Sequence, residues 1–250
     1  MTSTLVRHDP VRDWVEIQER MLVPLYEAVY ERLGVGSGTR LLGLDCGSGL
    51  ALLMAAARGA RVAGVEPDAA RLAQARSRLG GYGADLAADR PGPGPYDVVT
   101  AFHPAGCGTR ATGAAPDALT GPPAVRGAAV VLAGWGPPER CASAAVLAEA
   151  GADGAGAEPA GAWDDDLDAR AERAGLRPDG SGRVACPFGY ADLDSAVRGL
   201  LSTGLLDPAV SATDPARVEK ELTEALHPYV RPDGTVWMPN VFRYVIARVP

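Results

Sequence analysis

The sequence predicts an α/β fold: a Rossmann-like, seven-stranded, mostly parallel sheet with helices on both faces and an antiparallel strand at the C-terminus. Three observations carry that prediction. Short apolar strands alternate with helix-length segments between Arg40 and Leu79, and short loops between them imply parallel strands joined by right-handed crossovers. The first strand runs into a glycine-rich turn that opens a helix, as in dinucleotide-binding sheets. The last apolar run, Val241 to Val249, follows a turn signal over Val230–Thr235, which suits late antiparallel pairing.

Taken in order, Trp14, Ile17, Met21, Leu22, Leu25, Val29 and Leu33 recur at the spacing of an amphipathic helix, with a kink expected at Pro24 and a stop at Gly34. Arg40–Leu44 is the first strand and Asp45-Cys46-Gly47-Ser48-Gly49 its turn; an Ala/Leu-rich helix then runs through Arg58 to Gly59. Arg61–Glu66 is the second strand, and Pro67-Asp68 opens a helix over Ala69–Leu79. Tyr82–Ala88 is a short third strand, and Tyr96–Phe102, after the Pro/Gly turn 91–95, a buried fourth. Residues 103–127 show little periodicity. Ala128–Trp135 is a fifth strand, ended by Gly136-Pro137-Pro138.

Beyond it, Arg140–Ala150 reads as a helix and 151–162 as a Gly/Ala-rich surface loop. Asp164-Asp165-Asp166 suits the cap of a helix running through Ala174, with a metal site as the sharper and less favoured alternative. A strand over Arg183–Tyr190 and helices near Leu193–Thr203 and Pro215–Ala225 precede the last strand. The expected organisation is one domain: a helical lid over 1–38, a core over 39–150, and a C-terminal half over 151–250 with a helical insertion at 191–228.

Composition narrows the function classes. Lys plus Arg is 24 against 31 for Asp plus Glu, a net charge of −7; a nucleic-acid binder would show a basic surplus or stripe. Apolar runs break well short of the roughly 18 residues of a membrane span, and the N-terminus lacks the apolar region of a signal peptide. A cytoplasmic protein acting on a small molecule is the expectation. Cys46, Cys107, Cys141 and Cys186 have no metal-ligand spacing and read as free thiols, so no metal site is expected.

The chemistry is concentrated around the first turn. Glycines in Leu41–Gly49 let the backbone approach a ligand, and the helix N-terminus offers unpaired N–H groups. The second strand ends in Glu66, and an acid there can accept both ribose hydroxyls of an adenosine. Leu52 stands where a nicotinamide-dinucleotide site wants its third glycine, and no phosphate-binding Lys follows. S-adenosylmethionine (SAM), which needs no pyrophosphate cradle, fits these residues better.

The sequence also resembles the class I SAM-dependent methyltransferases, close to their actinobacterial small-molecule and quinone-type branch. The likeness rests on Leu41–Gly49, Arg61–Glu66, Tyr96–Phe102, Val130–Gly136, Cys186–Tyr190 and Asn240–Tyr244, and covers nearly the whole chain. It implies that Asp45, Cys46, Gly47, Ser48 and Gly49 hold the cofactor's methionine end and that Glu66 and Pro67 border the ribose. By the same likeness Asp85 or Asp89 contacts the adenine, and Phe102 and His103 border the methyl group. The family pattern has an acid, then any residue, then three alternating glycines. Here Gly43 takes the acid's place and Asp45 the first glycine's. A second register makes Asp45 the acid, but it shortens the distance to Gly59 and Glu66 by two residues, and the first is preferred. A non-glycine in that turn either crowds the cofactor or strains the backbone by about 1–3 kcal/mol; Asp45 could instead reach the cofactor's ammonium.

His103, just past a strand end, is the candidate general base for an oxygen, nitrogen or carbon acceptor, although a packed histidine meets the same pattern. Trp14 and Gln18 are candidate substrate-binding residues under the lid, or else core. The leading expectation is methyl transfer from SAM to a small molecule. The alternative is a methyltransferase-like protein that has lost transfer, and serves as a SAM or metabolite-binding regulator or runs another reaction in the same cleft.

Overall fold

A computed structural model describes residues 9–102, 124–151 and 166–250. Its main sheet has seven strands in the order β3-β2-β1-β4-β5-β9-β6: β1 (Arg40–Leu44), β2 (Arg61–Val65), β3 (Asp85–Ala87), β4 (Tyr96–Ala101), β5 (Ala124–Trp135), β6 (Arg177–Ala185) and β9 (Val241–Arg248). The first five run parallel; β9 pairs antiparallel with both β5 and β6. A separate antiparallel pair joins β7 (Phe188–Tyr190) to β8 (Val236–Met238). The fold is thus the α/β arrangement that the alternating strands and turns predict.

Alternate residues of the central strands feed two cores. Leu41, Val62, Val98, Val131 and Ile246 face one layer, while Leu42, Ala63, Val99, Val130 and Val245 face the other. Both faces are covered, which is why these strands read as unbroken apolar runs. Helices α1 (Pro10–Asp13), α2 (Val23–Leu33), α3 (Leu50–Ala57), α4 (Ala69–Leu79), α5 (Ala142–Gly151), α6 (Leu167–Arg173), α7 (Leu193–Leu201), α8 (Asp207–Ala212) and α9 (Pro215–Leu226) supply the covering layers. Asp68 and Asp166 cap α4 and α6 by accepting backbone N–H bonds, as their positions before each helix predict.

The structure departs from the sequence expectation in three places. The N-terminal segment is helical without a break from Pro10 to Leu33, as expected, but it is not regular: between α1 and α2 it widens to a π-type turn over Trp14–Gln18 and tightens to a 3₁₀ turn over Glu19–Leu22. Pro24 sits in the first turn of α2, where a missing N–H costs nothing. The strand expected over Arg183–Tyr190 is two strands, broken at Pro187, and the first begins at Arg177. Pro178 and Gly180 flank a register shift there, which an edge strand tolerates. Finally, a helix over Asp207–Ala212 and a strand over Val236–Met238 form where no separate element was expected.

Candidate functional site

The carboxyl ends of β2, β1 and β4 lie side by side, and the turn after β1 sits at their centre. Cys46 N–H donates to the Val65 carbonyl at 2.9 Å, so the turn begins by extending the β1–β2 ladder. The chain then reverses through three left-handed residues: Asp45 at φ 47°, Gly47 at φ 58° and Gly49 at φ 82°. The two glycines do different work. A Cβ at Gly47 would meet nothing within 4 Å, whereas one at Gly49 would stand 3.1 Å from the Ala75 Cβ and 3.2 Å from Leu79 Cδ1 on α4. Gly47 leaves open space beside the turn; Gly49 lets α3 start against α4.

Glu66 ties the second strand end to this turn. One carboxylate oxygen accepts the Gly47 N–H at 2.7 Å and the other the Asp68 N–H at 2.9 Å. Its side chain is buried, and burial raises its pKa against the pull of those two N–H groups and of Arg71, with Asp45 adding to the rise. A carboxylate has about four acceptor positions, so two bonds leave room for a ligand's hydroxyls. Asp45 is different. Burial raises its pKa as well, Arg170 opposes the rise, and its carboxylate accepts no hydrogen bond from a described residue.

A solvent-open cleft of about 460 Å³ lies beside the turn. Its floor is Gly43, Leu44, Asp45, Cys46 and Gly47, its far wall Thr100 and Phe102 at the end of β4, and its roof Trp14, Glu19, Leu22 and Tyr26 from the N-terminal segment. The Phe102 ring packs 4.9 Å from Tyr26 and 6.1 Å from Tyr30, centroid to centroid. The roof is fastened by charge. Arg78 of α4 donates to Glu19 at 2.6 Å and to the Ser48 carbonyl at 3.0 Å, and the other Glu19 oxygen accepts the Leu50 N–H at the start of α3 at 3.4 Å. On the far side Asp13 pairs with Arg198 of α7.

No family model matches the chain, and no curated protein matches it. Solved structures do. A candidate methyltransferase from Bacillus halodurans C-125 aligns with a TM-score of 0.56 at 14% identity, over 90% of this chain and 98% of the other. A SAM-dependent methyltransferase from Aquifex aeolicus aligns at 0.53 and 12% identity, over 97% and 99%. The chain has the fold of the SAM-dependent methyltransferases. The [4+2]-cyclase SpnF shares it, at 0.50 and 16% identity over 90% and 80%.

Within this methyltransferase fold the residues singled out from sequence separate into groups. Trp14, Asp45, Cys46, Gly47 and Phe102 line the cleft. Glu66 accepts the Gly47 N–H and the Ser48 hydroxyl accepts from Arg78, and Gly49 faces α4. Pro67 follows Glu66 on the surface, and Asp85 lies exposed against Gly92 at the edge strand. Gln18 is turned away, accepting the buried Tyr190 hydroxyl at 2.8 Å. Cys46 packs where Gly64 leaves space, and burial pushes its thiol pKa up to about 12, which disfavours the reactive thiolate. His103 lies outside the described residues. Sequence reasoning missed Glu19 and Arg78. Glu19 falls on the polar side of a regular helix, and only the wide turn before it rotates its side chain inward.

Proposed function

We propose that the chain binds SAM in this cleft and serves methyl transfer to a small-molecule acceptor. The observation that carries the reading is the Glu66–Gly47 bond at the adjoining ends of β2 and β1, within a fold shared with SAM-dependent methyltransferases. The residues present fit the cofactor. Gly47 leaves open space beside the turn, Glu66 keeps acceptor capacity for ribose hydroxyls, and the buried Trp14 Nε1–H has no hydrogen-bond partner among the described residues. When bound, SAM supplies a methyl group made electrophilic by its sulfonium.

The chain's own residues then have four tasks. Glu66 holds the ribose, the turn from Asp45 to Gly49 approaches the methionine end, and Trp14, Tyr26 and Phe102 exclude water, which strengthens every charge interaction inside. His103, one residue past Phe102, takes the acceptor's proton where the acceptor is a poor nucleophile. Such a protein works in the cytoplasm on a diffusible acceptor. A second reading, a relative that has lost transfer, draws on Asp45 standing in a left-handed conformation where a glycine would do, and on a cyclase sharing the fold.

Titration calorimetry with SAM and S-adenosylhomocysteine tests the main reading. Binding in the micromolar range that Glu66→Ala abolishes supports it and justifies an acceptor screen. No heat at millimolar ligand overturns it.

A further inference from the structure

We infer that Asp45 makes the cleft a reader of positive charge, so that it holds the sulfonium SAM in preference to the neutral thioether S-adenosylhomocysteine. This deepens the methyl-donor reading and rests on it.

The three acids around the turn are in different states. Glu19 is matched by Arg78 at 2.6 Å. Glu66 is held by the Gly47 and Asp68 N–H groups. Asp45 lines the cleft and is half-buried, yet its carboxylate accepts no hydrogen bond from a described residue. The cost of desolvating it outweighs the help from Arg170, as the raised pKa shows. A half-buried carboxylate in that state gains most from a cation brought to it.

The walls point the same way. Trp14, Tyr26 and Phe102 line the cleft with aromatic rings; Arg71 already lies over the Trp14 ring, 5.9 Å from its centroid, and an aromatic ring favours an onium ion over an uncharged group. A thioether sulfur gains from neither. The backbone adds an independent observation. Asp45 is the one described non-glycine residue with positive φ, and Gly47 and Gly49 show that glycine serves the same turn. What the strained residue contributes is therefore its side chain. An acid at position 43 would crowd its neighbours, since a Cβ there would stand 3.0 Å from Leu52 Cδ2 and 3.2 Å from the Cys46 Cβ.

Calorimetry with three ligands tests this: SAM, S-adenosylhomocysteine, and sinefungin, which carries an ammonium where SAM carries its sulfonium. In the wild-type protein, SAM and sinefungin should bind about tenfold tighter than S-adenosylhomocysteine. Asp45→Asn, which tolerates the left-handed turn, should erase that preference by weakening the two charged ligands alone, and Asp45→Gly should do the same. Equal affinity for all three in the wild type overturns the inference and leaves SAM binding standing. An equal loss for all three ligands in Asp45→Asn also overturns it, because Asp45 would then serve the amino group they share. No binding of any ligand by a wild-type protein with a cooperative melt overturns the methyl-donor reading, and this inference with it.

Discussion

The ends of β1 and β2 each carry one acid, and they are built in opposite ways. At the end of β2, Glu66 donates its N–H to the Ala87 carbonyl and accepts two further N–H groups with its carboxylate. At the end of β1, Asp45 stands in a left-handed conformation, and its carboxylate accepts no hydrogen bond from a described residue. One acid is held by its bonds. The other is held by a turn whose shape is imposed from outside, through Gly49 against α4 and Ser48 against Arg78. The difference separates an acid that stabilises the apo fold from one that the apo fold only tolerates, and the second is the better candidate for a group waiting on a ligand.

The comparison breaks first at Gly49. An alanine there meets both the left-handed penalty and the crowding against Ala75 and Leu79, and should cost about 3 kcal/mol. Gly47→Ala meets open space and should cost only about 1 kcal/mol, the backbone penalty alone. Urea denaturation of the two variants measures the gap. Equal costs would mean that α4 does not shape the turn.

Glu66→Gln tests the other strand end. The amide can accept with one oxygen, but it turns an NH₂ group toward one of the two backbone N–H donors. Leaving that donor unsatisfied in a buried position should cost about 2 kcal/mol, read as a lower urea midpoint with an unchanged slope. A neutral result would show that Glu66 is not bound to the turn in solution.

How much of this was legible in the sequence follows from what each element depends on. β1, β2 and β4 and the turn between them are set by local rules: apolar runs buried on both faces, then glycines at a reversal. The strain in the turn was legible too, since a non-glycine among turn glycines implies it, and Asp45 shows it at φ 47°. β6 was legible only in part, because Pro178, Gly180 and Gly182 look like turn residues until β9 is there to pair with them. The burial of Glu19 was not legible at all. It depends on a wide helical turn over Trp14–Gln18 and on Arg78, 59 positions away in the chain. Gln18 illustrates the converse: helical spacing placed it beside Trp14, but its partner Tyr190 lies 172 positions on.

The smallest expected effect is the most informative about Asp45. Replacing it with glycine relieves the left-handed strain and should stabilise the apo protein by about 1 kcal/mol at any pH. A second contribution depends on pH, and its sign follows from the raised pKa. An acid whose pKa is higher in the folded than in the unfolded state binds more protons when folded. Its contribution to stability is fully present below the unfolded value, near 3.8, and is lost as pH rises through the folded value. Removing the carboxylate should therefore gain more at pH 7 than at pH 4 in Asp45→Gly, and Asp45→Asn should show the pH-dependent part with little of the backbone part. Thermal melts of the wild type and both variants across that range make the measurement. If the gain instead shrinks as pH rises, Arg170 satisfies Asp45 in the apo protein, and the carboxylate is a structural partner rather than a group held in reserve for a cation.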